Sequence, residues 1–155
     1  MATTRVRRLI RAPRQRVYET LLDRDAVARW KVPSGMTCEV HAFEAREGGA
    51  IRVSLTYEAQ DRTGKTTGRT DTYNGRFERL VPGELVVEVD EFESDDPALR
   101  GAMTSTIRLA DADGGGTELT ATHEGVPDAV RPEDNEQGWQ ESLARLAALV
   151  ERAES

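Results

Sequence analysis

Apolar residues recur along this chain at two different periods, and the change of period divides it. From residue 4 to 11 they alternate, with Val6 and Ile10 on one face and Leu9 on the other, which predicts a strand. Ala12-Pro13 breaks that pattern, and Pro13 suits the first turn of a helix, where its missing N–H would have no partner anyway. Val17, Leu21 and Leu22 then fall at helical spacing in "RQRVYETLLD", and a shorter helical piece, "DAVARW", reaches Trp30. Pro33 and Gly35 in "KVPSG" end it.

Alternation returns at residue 36. Cys38, Val40 and Ala42 share a strand face before the "EGG" turn at 47–49. Ile51, Val53, Leu55 and Tyr57 share a face of the next strand, with Arg52, Ser54, Thr56 and Glu58 opposite. After the polar turn "DRTGKTTG", Tyr73, Gly75 and Phe77 alternate against Thr72, Asn74, Arg76 and Glu78. "VPGE" at 81–84 reads as a tight turn, in which proline presets one central position and Gly83 takes a positive φ. Leu85, Val87 and Val89 are expected to carry the inner face onward, "ESDDPALRG" is a loop, and Met103, Ser105, Ile107 and Leu109 form another inner face. "DADGGG" is a turn, and "TELTATHEG" is a last strand with Leu119, Ala121 and His123 on one side.

Hairpin-length connections require antiparallel pairing, and one apolar face per strand requires cover on one side only. The last segment supplies it. In "NEQGWQESLARLAALVE", residues 135–151, Trp139, Leu143, Leu146 and Val150 make a single helical stripe. A helix from about Pro132 to Arg152 would span about 30 Å, enough to cross a curved sheet. Gly138 lies in this helix despite a cost of roughly 1 kcal/mol relative to alanine. With Ser142 four residues on, it makes a notch beside the stripe, which admits either a closely packed strand or a cavity. The fold expected is α+β: a curved antiparallel sheet of six or seven strands wrapped around a long C-terminal helix, with two short helices after the first strand.

Length and charge narrow the role. The 155 residues suit one domain, 1–155, able to bury a sizeable core without staples. The lone cysteine, Cys38, excludes an internal disulfide and fits a reducing compartment, and no signal peptide or membrane-spanning run is read, so a cytoplasmic, uninserted protein is expected. A net charge of −7 argues against nucleic acid as a partner. The six arginines between Arg5 and Arg16 are read as the solvent face of an edge strand, because no aromatic residues are interleaved for stacking.

Several stretches together resemble the START/Bet v-like (SRPBCC) superfamily, and within it the activator-of-heat-shock-ATPase homologue (AHSA-like) group. They are "RLIRAPRQRVYETLLD" with Trp30 shortly after, "FEAREGGAIRV", "YNGRFERLVPGELVV", "GTELTATHEGVPD" and "GWQESLARL", in order and over nearly the whole chain. Glu44 stands where the group usually has aspartate. The resemblance implies a helix-grip fold with an elongated apolar cavity between sheet and helix, part of it shaped by Gly138-Trp139.

No catalytic or metal-binding motif occurs, and no cofactor is expected. His41 and His123 lie in separate strands, at no metal-ligand spacing. His123 shares an inner face, so it needs a hydrogen-bond partner or a wet cavity; with Tyr73 it is the one acid/base pair that can be nominated. Arg8 falls between Val6 and Ile10 and is expected to be paired or to snorkel. With eight large aromatic residues to fill the space under one helix, the expected function is binding of a small apolar molecule such as a lipid, polyketide or aromatic metabolite. The residues expected to line its site are Trp30, Val53, Leu55, Tyr57, Tyr73, Phe77, Val87, Met103, Ile107, His123, Gly138, Trp139, Ser142, Leu143 and Leu146. A cyclase- or hydrolase-type enzyme using the same cavity, and a co-chaperone-like domain with an unknown protein partner, are the alternatives.

Overall fold

In a computed structural model of the chain, seven strands form one antiparallel sheet in the order β1-β7-β6-β5-β4-β3-β2. The structure describes residues 2–32, 35–58 and 70–152; the turn read at 61–68 lies outside them. The strands are β1 (Ala2–Ile10), β2 (Met36–Phe43), β3 (Ala50–Tyr57), β4 (Thr70–Val81), β5 (Leu85–Phe92), β6 (Met103–Asp111) and β7 (Thr117–Val126). Strands β2 to β7 pair with their sequence neighbours, as short connections dictate, and β1 crosses to pair with β7. Among the described residues there are also three α-helices, α1 (Arg14–Leu21), α2 (Arg24–Trp30) and α3 (Pro132–Arg152), and two short 3-10 helices, Pro97–Leu99 and Asp113–Gly115. This is the helix-grip α+β arrangement.

The local chemistry explains the boundaries. Pro13 caps α1 in an extended conformation, one residue before the helix starts. Asp23 caps α2, its carboxylate accepting from the N–H groups of Asp25 at 2.9 Å and Ala26 at 3.2 Å. Glu133 and Asp134 occupy the first turn of α3, where negative charge suits the helix dipole. Leu143, Leu146 and Val150 of its stripe are fully buried against β1 and the two short helices, while Trp139 is half-buried. Arg8 does not join them: it is exposed, and β1 is an edge strand whose outer face carries Arg5 and Arg7.

One strand departs from the expected face. Leu85, Val87 and Val89 were to continue the inner surface, yet Val86, Glu88 and Asp90 do so instead. A register shift between Phe77 and Arg79 inserts one residue into β4, so buried Phe77 sits opposite Glu88, and Glu88 in turn opposite buried Ser105. Val87 faces outward, between Arg79 and Thr106. Gly75 faces Asp90 across the same pair, and a Cβ there would lie 1.9 Å from the Val89 carbonyl oxygen, so only glycine fits.

Candidate ligand-binding cavity

A cavity of about 610 Å³ lies between the concave sheet and the N-terminal half of α3. Leu55, Tyr57, Tyr73, Met103 and His123 line it from the sheet, and Gly138, Trp139 and Ser142 from the helix. The notch of Gly138 and Ser142 therefore opens onto the hollow. The remaining expected residues divide otherwise. Trp30, Val53, Phe77 and Ile107 surround a separate void of about 10 Å³ in the sealed core. Leu143 and Leu146 are fully buried in that core, and Val87 lies on the outer face of the sheet.

The wall is more polar than the alternation implies. Lys31, the residue following α2, reaches across the interior, and its Nζ donates to both carboxylate oxygens of Glu88 at 2.9 Å. Their side chains retain 18% and 7% of their exposure, so this ion pair is largely dry. Asp90, two residues on, shares the face, and its carboxyl group hydrogen-bonds that of Glu88. Two carboxylates in contact cannot both ionise in such surroundings. Burial opposes charge on both. The Lys31 ammonium and the hydrogen bond from Asp90 nevertheless hold Glu88 below the ordinary carboxylate range. Burial and the neighbouring Glu88 charge push Asp90 well above it. The cluster is thus an ammonium, a carboxylate and a carboxylic acid in series, and the proton sits on Asp90.

Tyr73 stands beside this cluster, diagonally across from Asp90, with the Lys31 Nζ 5.8 Å from its ring centroid. Burial, opposed by Lys31, raises its pKa, so it remains a neutral phenol. Its hydroxyl is buried and has no hydrogen-bond partner among the described residues. Cys38 is affected in the same way: burial pushes its thiol up to about 11 despite the opposing Lys31 charge.

His123 lies on β7 in one cross-strand row with Ser105 and Glu88. Its Nδ1 accepts from Trp139 Nε1 at 3.2 Å and from Asn135 Nδ2 at 3.1 Å. The Thr4 hydroxyl, donating to Asn135 Oδ1 at 2.5 Å, turns that amide so that its nitrogen faces the imidazole. Two donors at one nitrogen leave no room for a proton, so the neutral ring carries its hydrogen on Nε2. Burial, aided by the Lys31 charge and resisted by Glu88, lowers the pKa to about 4. His41 lies instead on the outer face, bonded to Ser54 at 2.8 Å, and the two histidines do not converge. Among the described residues no cluster of three or more metal-ligating side chains forms, and no helix is long and apolar enough to cross a membrane.

Lys31 and Asp90, which line the cavity, and Glu88, which lines the small void behind them, were absent from the expected site. Lys31 follows a short helix and looks like a solvated cap, and the run of valines drew the inner face to the wrong half of β5. The structure pairs Phe77 with Glu88 and Glu88 with Ser105, a register that alternation within a single strand does not record.

Residues 11–151 match the family described as Activator of Hsp90 ATPase homolog 1-like protein. Among solved structures, a protein from Chromobacterium violaceum is 42% identical over 96% of this chain and 96% of that one, with a TM-score of 0.85. A protein from Rhodobacter sphaeroides is 21% identical over 97% of this chain and 93% of that one, with a TM-score of 0.78. An AHSA1 protein from Silicibacter pomeroyi is 17% identical over 98% and 99%, also with a TM-score of 0.78. The last two show a common fold. No curated protein matches the sequence.

Proposed function

The chain belongs to the Activator of Hsp90 ATPase homolog 1-like family, and from that premise we propose that it binds a small amphipathic molecule in the cavity between the sheet and α3. The observation that carries this is the hollow itself, about 610 Å³ and of the size of small-molecule sites, beside a core void of only about 10 Å³. Leu55, Met103, Phe92 and Trp139 offer apolar contact for a ring or chain, and Lys31 and Asp90, backed by Glu88, offer polarity at one end. The ligand is therefore not the purely apolar one that alternation alone suggests.

Binding is favoured over turnover by the state of His123. An imidazole whose Nδ1 already accepts two hydrogen bonds and whose pKa is about 4 is a poor general base near neutrality.

The test is Gly138→Leu, which puts a side chain into the notch. Fatty alcohols, flavonoids and sterols are titrated into the protein and into the variant, following the NMR resonances of Tyr73, His123 and Trp139. Shifts in the wild type that weaken at least tenfold in the variant, with thermal stability kept or raised by the gain in helix propensity, are expected. Ligands that perturb none of the three residues, or that bind the variant equally well, remove the proposal.

A further inference from the structure

The polar end of the cavity restricts what its occupant can carry there. We infer that the cavity selects a neutral hydroxyl group on a ring- or chain-bearing molecule, held between the Tyr73 hydroxyl as donor and the Asp90 carboxyl group as acceptor, and that it rejects carboxylates and amines. This rests on the cavity-binding reading above and adds the chemical class of the ligand.

Two observations converge. Tyr73 is 8% exposed and lines the cavity, yet its hydroxyl has no partner among the described residues, and a buried hydroxyl left unmatched is costly. Asp90, its diagonal neighbour on the inner face, also lines the cavity and directs its proton to Glu88, so what it presents to a guest is an acceptor oxygen. A hydroxyl is the smallest group that answers both, accepting from the tyrosine while donating to the acid.

The charges explain the exclusions. Among the described residues lining the cavity, the cations are Lys31 and Arg131. Lys31 is held by both oxygens of Glu88, and Arg131 pairs with Glu133 at 3.6 Å. At this end a carboxylate guest would lie beside the Glu88 carboxylate and would have to pull Lys31 from it. An ammonium guest at this end would lie beside Lys31, whose Nζ is 5.8 Å from the centre of the Tyr73 ring. Like charge in a dry site disfavours both.

The probes are four naphthalenes of one shape: naphthalene, 2-naphthol, 2-naphthoate and 2-naphthylmethylamine, titrated into the whole protein at neutral pH by calorimetry. Naphthol is expected to bind about tenfold tighter than naphthalene, and both charged probes more weakly than naphthol. Tyr73→Phe should bring naphthol down to the level of naphthalene while naphthalene itself is unchanged, which separates a lost hydrogen bond from a lost fold. Asp90→Asn, which keeps a donor for Glu88 and an acceptor for the guest, should retain naphthol binding within about threefold. Tighter binding of naphthoate or the amine than of naphthol, or a naphthol preference that survives Tyr73→Phe, overturns the inference and leaves the cavity reading standing. Failure of all four probes to bind overturns both.

Discussion

Replacing Glu88 with glutamine should destabilise this protein severely, although the change swaps one oxygen for an amide. Glu88 holds Lys31 through two contacts of 2.9 Å, and the two side chains retain only 7% and 18% exposure. At an effective dielectric of about 20, the attraction at 2.9 Å is about 6 kcal/mol, which offsets the cost of drying both charges. Glutamine removes the attraction and leaves the ammonium buried, a loss of about 3–5 kcal/mol. For a chain of this size that lowers the melting temperature by about 6–20 °C. Thermal and urea unfolding of Glu88→Gln, Lys31→Met and the double variant complete the cycle. The double variant should recover most of the loss, because an apolar and a neutral polar residue leave no stranded charge. If Glu88→Gln costs less than about 1 kcal/mol, like an exposed ion pair, the pair is wet in solution. The polar wall described above would then be misdrawn.

Other expectations are simpler to check. His123→Asn keeps an acceptor for Trp139 but removes a titrating group. The native ring, with its pKa near 4 against an ordinary 6.5, contributes stability that is present above 6.5 and lost as pH falls toward 4. The wild-type-minus-variant difference in unfolding free energy should therefore climb through that window and level off above it; a flat difference would show that the imidazole is not buried neutral. Gly75→Ala should cost about 1–3 kcal/mol in urea unfolding, since its Cβ would press within 1.9 Å of the Val89 carbonyl oxygen and 2.3 Å of Asp90 Oδ1. A loss under about 0.5 kcal/mol would mean that β4 and β5 are not this close. Cys38, its thiol pushed up to about 11, should react with iodoacetamide on the order of a hundredfold more slowly at neutral pH than in the unfolded chain. Equal rates would place the thiol in water.

The sequence alone determined the order of elements, because periodicity and turn chemistry are local. Alternation around Val53, Tyr73 and Ile107, the break at Pro13, and the stripe Trp139-Leu143-Leu146-Val150 each needed only neighbouring residues to be read. The antiparallel pairing followed from short connections, and the notch at Gly138 and Ser142 was legible as missing bulk in a helix of good formers. What only the tertiary structure decided was which side of that bulk stays empty and what charge faces it. A single inserted residue between Phe77 and Arg79 turned β5 over, sending Val87 outward and Glu88 and Asp90 inward. A lysine from the end of a distant helix then made their burial tolerable. Local patterns record how hydrophobic a strand face is. They do not record register, and the energy of a buried carboxylate depends on partners that the chain brings together only when it folds.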